Sequence, residues 1–224
     1  PGTVGAAPIQ TIGAYGVALG SCLQRVHARS LSGGSELSLS QADCEFGYRD
    51  SVFKREMRDQ VMITAVELQL SREPRLHVDY PALSDALARH RESELTPQAV
   101  FDAVVTIRRS KLPDPAVEPN AGSFFKNPLV SADQAQLLLE KFPGLPSYPQ
   151  ADGQAKLAAA WMIEHCGWKG YREEDIGVHP DHALVLVNYG NNSGERLLSL
   201  ASEIAVTVAD TFGLQLVIEP RVYG

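Results

Sequence analysis

NAGSFFKNP, Asn120 to Pro128, is the stretch on which the fold and chemistry of this chain turn. It sets a serine, Ser123, after a glycine and before two aromatics, a lysine and an asparagine. Glycine has no Cβ, so the backbone beside the Ser123 hydroxyl can come close to a ligand. Phe124 and Phe125 can wall that hydroxyl off from water, while Lys126 and Asn127 can hold an anion or an amide. Taken alone, the same string also reads as an ordinary turn followed by core phenylalanines. What stands elsewhere in the chain decides between the two.

Working outward, the opening PGTVGAAPIQTIGAYG, residues 1 to 16, is too rich in glycine, alanine and proline for a clean helix or strand. Such a run lets backbone N–H groups face a ligand at short range, as in anion-binding nests. It has neither the Gly-Lys-Ser/Thr of a Walker loop nor the GxGxxG spacing of a Rossmann turn. A third stretch, FGYRDSVFK from Phe46 to Lys54, puts Arg49 in a loop between apolar runs.

Composition narrows the classes. The 224 residues, 44% hydrophobic and 21% charged, suffice for one large or two modest domains with real cores. No apolar run approaches the ~20 residues that span a bilayer, which argues against membrane insertion. A net charge of −7 argues against nucleic acid or an anionic membrane as partner. An anionic ligand then requires a local basic cluster, for which Arg49, Lys111, Lys126 and Lys156 are candidates. Cys22, Cys44 and Cys166 are far apart, odd in number and without a CxxC pair, which fits a reduced, cytoplasmic protein. His179 and His182 stand three apart with no evident third ligand, so no metal site is expected.

The pattern of elements is mixed. Val26–Leu31 and Glu36–Leu39 read as strands of a hairpin around Ser32-Gly33-Gly34, and Val61–Leu70 as a longer strand. Thr96-Pro97 opens a helix with threonine as N-cap, and Val100, Phe101, Val104, Val105 and Ile107 mark its buried face. Pro113 and Pro115 lack backbone donors, so that helix cannot pass far beyond Lys111, and the pair marks a domain boundary. Beyond it, Ser131 caps a helix that stops before Pro143-Gly144, and a second helix is expected from Gln154 to His165. Ala183–Asn188 reads as a buried strand. Ser193–Phe212 reads as an amphipathic helix with Leu197, Leu200, Ile204 and Val208 as its stripe, closed by Gly213. Leu214–Glu219 reads as the last strand. Helices and strands alternate without a βαβ rhythm, so the expected class is α+β.

Six segments in order resemble the MurB family, the UDP-N-acetylenolpyruvoylglucosamine reductases of bacterial cell-wall synthesis. They are PGTVGAAPIQTIGAYG, FGYRDS, KLPDP (Lys111 to Pro115), AGSFFKNP, YPQADG (Tyr148 to Gly153) and HALVLVN (His182 to Asn188). Family members begin with a flavin-binding segment, including a glycine-rich pyrophosphate loop, that has no counterpart in these residues. The resemblance implies an α+β protein with three parts. Residues 1–109 would be the remainder of a vanillyl-alcohol-oxidase-like FAD-binding domain. Residues 110–218 would form the substrate-binding domain, and a terminal strand, 219–224, would carry Glu219. It implies reduction of the enolpyruvyl ether of UDP-N-acetylglucosamine to UDP-N-acetylmuramate, with FAD as cofactor and NADPH as hydride donor.

An enolpyruvyl ether is an electron-poor alkene conjugated to a carboxylate. Its reduction needs a hydride donor, which no side chain supplies, a proton donor and cationic stabilisation of the enolate. By resemblance, Ser123 would protonate the enolate carbon. Arg49 would hold the carboxylate and stabilise the developing charge. Glu219 would orient the carboxyl group or assist protonation. The resemblance assigns substrate binding to Tyr80, Lys111, Asn127, Tyr148, Lys156 and His182. It assigns flavin binding to Gly5, Ala6, Ala7, Gln10, Gly13 and Tyr15. Two alternatives remain: a sugar-nucleotide-binding fragment without redox activity, and a related flavin oxidase. The serine of AGSFFKNP and the lysine of KLPDP argue against the oxidase.

Overall fold

The structure, a computed structural model, describes residues 3–88, 91, 95–150, 152–190 and 193–223. It divides into two compact units, Pro1–Ile107 and Arg108–Gly224. Helices and antiparallel strands mix in both, so the class is α+β. Among the described residues no helix is long and apolar enough to cross a membrane.

The first unit opens on a 3₁₀ turn, Val4–Ala6, that runs into a one-turn helix, α1 (Ala7–Gln10). Thr11 ends α1 in the left-handed conformation, φ +47°. A small hairpin follows, β1 (Gly13–Ala14) and β2 (Val17–Ala18), turned by Tyr15 at φ +52° and Gly16 at φ +83°. Two central residues at positive φ make the tight turn whose twist suits paired strands. The body of the unit is a sheet of β3 (Leu23–Ser30), β4 (Glu36–Ser40) and β5 (Val61–Leu68), in the order β4-β3-β5. Val26 pairs with Leu39 on one side and Val66 on the other, as the hairpin signal predicts. β5 stops at Leu68, two residues before its expected end, and Leu70 is exposed.

Leu23, Val26, Leu39, Cys44, Val52 and Phe53 form a core on this sheet. Burial, with Asp43 adding, pushes the Cys44 thiol up to about 11, so it packs as a small apolar group. A second cluster joins α2 (Pro81–Leu87) to α3 (Pro97–Lys111) through Leu83, Leu87 and Ile107. Thr96 Oγ1 accepts from the Ala99 N–H at 3.1 Å, the N-cap that the sequence predicts. Phe101 is a correction: it was expected on the buried face and is 62% exposed. Val100, Val104 and Ile107, spaced four and three apart, already fill the stripe that meets α2, and Phe101 lies beside it.

Beyond the end of α3, the described residues of the second unit form two sheets and three helices. Its strands are β6 (Asn120–Ser123), β7 (Leu129–Ser131), β8 (Ser147–Pro149), β9 (Gln154–Leu157), β10 (Arg172–Glu173), β11 (Ile176–Val178) and β12 (Val185–Asn188). They are ordered β10-β11-β12-β6 and β7-β9-β8. The helices are α4 (Ala132–Lys141), α5 (Ala159–His165) and α6 (Gly194–Phe212). α5 and α6 close over Val178, Leu186 and Ile176 with Met162, Ile163, Leu200, Ile204 and Val208. Phe124 and Phe125 belong to this core, their rings edge to face with centroids 5.5 Å apart.

Ser131 caps α4, its hydroxyl accepting from the Gln134 N–H, and Gly213 at φ +68° closes α6, both as expected. Two expectations are corrected. Gln154–His165 is not one helix, because Gln154–Leu157 is β9, paired with β7 and β8 on its two sides. Non-local pairing overrides the helical propensity of QAKL there, and buries Ala155 and Leu157. Leu214–Glu219 is not a full strand; it is reduced to one antiparallel bridge between Phe125 and Ile218.

Candidate active site

Ser123 ends β6, opposite Val185 of β12. The Asn120 amide braces the approach to it: Nδ2 donates to the Glu118 and Pro113 carbonyls, and Oδ1 accepts the Gly122 N–H at 2.9 Å. Gly122 is at φ +72°, a conformation that a Cβ disfavours, and the space a Cβ would take is open. A ligand can therefore reach the backbone just before a half-buried serine hydroxyl. On the far side, the Phe124 N–H donates to the Leu184 carbonyl at 2.7 Å, and the Phe124 carbonyl accepts the Glu219 N–H at 2.8 Å. Lys126 N–H completes the edge by donating to the Val217 carbonyl at 2.8 Å. Ser123 and Glu219, far apart in sequence, thus lie one residue out of step on adjoining segments.

His182 lies just before β12 and is half-buried. Its Nδ1 accepts the Leu184 N–H at 3.3 Å, which puts the proton of the neutral ring on Nε2. Burial lowers its pKa, and His179, Lys111 and Lys169 push it the same way. Lys111 is therefore within electrostatic reach of His182. The ring is a neutral donor beside positive charge, an arrangement suited to an anionic oxygen.

Tyr148 and Lys156 face each other directly on β8 and β9, with the Lys156 Nζ 5.9 Å from the ring centroid. Half of Tyr148 is exposed. Asn127 does something the sequence does not suggest: its Oδ1 accepts the Ala159 N–H at 2.9 Å. It caps α5 from 32 positions away, because Ala158 at the N-cap has no side chain to do so.

In the first unit, Arg49 stands in a tight turn closed by mutual hydrogen bonds between Gly47 and Asp50. It is left-handed, φ +53°. Its Nη1 reaches the Thr11 carbonyl at 3.5 Å, and the Arg49 carbonyl accepts from Lys54 Nζ at 3.1 Å. Ser51, wholly buried, donates to the Pro8 carbonyl of α1 at 3.1 Å. The Arg49 loop is thus tied to the glycine-rich opening. Within that opening, Gly5 and Gln10 are exposed, Ala6 and Gly13 half-buried, and Ala7 is turned into the core. The Tyr15 ring meets Tyr80 edge to face at 5.2 Å. A surface hollow of about 570 Å³, lined by Gly20, Gln24, Ser40 and Gln41 among others, holds none of these residues.

The family model for the UDP-N-acetylenolpyruvoylglucosamine reductase C-terminal domain matches residues 114–223. A curated UDP-N-acetylenolpyruvoylglucosamine reductase from Chromobacterium violaceum is 52% identical, across 99% of this chain and 65% of its own length. The chain belongs to the UDP-N-acetylenolpyruvoylglucosamine reductase family. A relative of the same name from Pseudomonas putida is 48% identical, across 100% of this chain and 66% of its own. The chain spans just under two thirds of the length of these curated reductases. The crystal structure of UDP-N-acetylenolpyruvylglucosamine reductase (MurB) from Thermus caldophilus shares the fold. It matches with a TM-score of 0.63 at 21% identity, over 100% of this chain and 61% of that one.

Within this reductase-family chain, sequence reasoning singled out Arg49 from FGYRDSVFK and passed over Ser51 and Lys54. The signal was present: a serine and a lysine bracketing the apolar pair Val52-Phe53, where a polar side chain drawn in with its neighbours needs a partner. It also passed over Thr11, whose left-handed backbone is set by its place at the end of α1.

Proposed function

We propose that this chain carries catalytic and substrate-binding residues of an NADPH-dependent, FAD-mediated reductase. The reaction converts the enolpyruvyl ether of UDP-N-acetylglucosamine to UDP-N-acetylmuramate, a step of peptidoglycan synthesis. The observation that carries this reading is the main-chain link between Glu219 and Phe124, which brings the segment bearing Glu219 alongside the segment bearing the candidate proton donor Ser123. The names of relatives about half identical over the whole chain support it. Residues 1–109 are read as the remainder of a FAD-binding domain, 110–218 as the substrate domain, and 219–224 as the segment bearing Glu219.

Bound FAD would supply the hydride equivalent that no side chain can. The opening segment suits such a group in one respect: no atom lies within 4 Å of the space a Gly5 side chain would take, so backbone can be approached there. Gly5, Ala6, Gln10, Gly13 and Tyr15 would hold it, with Ala7 acting only through its backbone because its side chain is buried. Arg49 would hold the substrate carboxylate and stabilise the enolate oxygen, its planar fork matching two oxygens. Ser123 would deliver a proton to the enolate carbon, and Glu219 would orient or recharge that hydroxyl. Lys111, Lys156 and the His182 Nε2–H would bind diphosphate oxygens, and Tyr148 and Tyr80 would add ring and hydroxyl contacts. Asn127 would act chiefly by holding α5, leaving its amide NH₂ for the ligand.

The test uses a protein of the relatives' full length that contains this sequence. Ser123→Ala should leave flavin reduction by NADPH nearly intact and slow reoxidation by the enolpyruvyl substrate by about 10²–10⁴-fold. Ser123→Cys, which keeps a proton donor, should fall less far. Equal slowing of both half-reactions in stopped-flow absorbance would make Ser123 a structural turn residue. A second reading, a sugar-nucleotide-binding unit without redox activity, is favoured by the grouping of Lys111, Ser123, Tyr148, Lys156 and His182 in one unit. Absence of the flavin band in purified 224-residue protein that still binds the nucleotide would support it.

A further inference from the structure

We propose that Lys54 is the positioning residue for Arg49, holding the guanidinium ready for the substrate carboxylate. This rests on the role given to Arg49 above and adds a second residue to it. Three contacts make the case. Lys54 Nζ donates to the Arg49 carbonyl at 3.1 Å. The same ammonium lies 3.5 Å from Thr11 Oγ1. Arg49 Nη1 in turn reaches the Thr11 carbonyl at 3.5 Å. Arg49, Lys54 and Thr11 therefore close a ring of contacts in which each touches the other two.

The backbone explains why a tie is needed there. Arg49 and Thr11 are both left-handed, φ +53° and +47°, a region disfavoured for residues with a Cβ. Such conformations persist where the surroundings over-determine them. Lys54 binds a backbone atom of one and a side-chain atom of the other. Its own base is fixed: it ends the 3₁₀ turn Val52–Lys54, whose Val52 and Phe53 are buried. The rest of the loop is held elsewhere, Ser51 to Pro8 and Arg55 to Asp50 and Glu45. Those anchors fix where the loop lies. Lys54 acts on Arg49 itself, so it governs where the guanidinium points and how much freedom is lost when a carboxylate arrives.

The experiment measures binding by calorimetry in a full-length protein that contains this sequence, with two ligands. One is the enolpyruvyl sugar nucleotide; the other is UDP-N-acetylglucosamine, which lacks the carboxylate. Lys54→Met should weaken the first ~10-fold, by analogy with coupled neighbours in double-mutant cycles, and leave the second unchanged. In an Arg49→Ala background it should cost nothing more. Lys54→Gln and Lys54→Arg, which keep a donor for the Arg49 carbonyl, should stay within ~threefold of the parent. Equal weakening of both ligands, or the full loss repeated in the Arg49→Ala background, would overturn the inference while leaving Arg49 in place. If Lys54→Met does not fold, Lys54→Gln decides, and binding as poor as that of Arg49→Ala would overturn it. If Arg49→Ala itself changes neither affinity nor flavin reoxidation, the role of Arg49 falls and this inference falls with it.

Discussion

In the second unit Ser123 and Glu219 are set by main-chain hydrogen bonds: β6 against β12, and the Glu219 N–H on the Phe124 carbonyl. In the first, Arg49 sits in a loop whose position depends on the side chains of Ser51, Lys54 and Arg55. A sheet-borne residue takes its place from register, which every residue of the strand helps to define. A loop-borne residue takes it from a few named contacts, so single substitutions can move it. The first site should thus be vulnerable to side-chain deletion, and the second to whatever forces its strands apart.

The largest effect expected from this contrast comes at Gly177, buried in β11. A Cβ there would lie 2.5 Å from the Tyr171 carbonyl oxygen and 3.1 Å from the Arg172 Cα, both backbone atoms. Gly177→Ala must separate β10 from β11 and should cost about 3 kcal/mol. The check is a clear fall in melting temperature, together with faster amide exchange across β11, β12 and β6. An unchanged melt would mean that the sheet yields more readily than the contrast allows.

A smaller effect is expected at Ser51. Ser51→Ala leaves the buried Pro8 carbonyl without its donor and should cost about 1–2 kcal/mol. Hydrogen exchange should quicken at residues 9–12 and 44–55 and stay unchanged at 120–125. Loosening spread evenly over both units would erase the distinction between a pinned loop and a paired strand.

The smallest effect is a pH slope in the second unit. His182 has a folded pKa below its ordinary value of about 6.5, through burial and the charges of His179, Lys111 and Lys169. Between that lower folded value and 6.5, the unfolded chain binds more protons than the folded one. Stability should therefore fall as pH drops through this window, then level off below the folded value. Urea midpoints between about pH 7.5 and 5.5 measure the slope, and His182→Asn should flatten it. An equal slope in the variant would assign it to other groups.

Much of the second unit was legible from local signals. Ser131, Gly213 and the stripe Leu200–Ile204–Val208 act within a turn or two of chain, so capping and periodicity reveal them. The Tyr148–Lys156 pair was named, by resemblance, without any expectation that the two face each other. Their meeting needs β9, a strand that the helix-forming string QAKL disguises. Asn127 was picked as a ligand contact, yet its amide oxygen caps a helix 32 residues on. Phe101 misled because periodicity gives a face and does not say how wide a neighbour will cover it.

The sequence by itself determined the α+β class, the caps, the hairpin around Ser32-Gly33-Gly34 and, through six motifs in order, the family. These are properties of neighbouring residues or of fixed strings, and neither requires knowing what folds against what. Only the tertiary structure decided that Glu219 bonds to the main chain of Phe124, that β9 is a strand, and that Thr11 and Lys54 close on Arg49. Each of these joins segments far apart in the chain, and such contacts are chosen by burial and hydrogen-bond satisfaction across the whole fold, which no local pattern encodes.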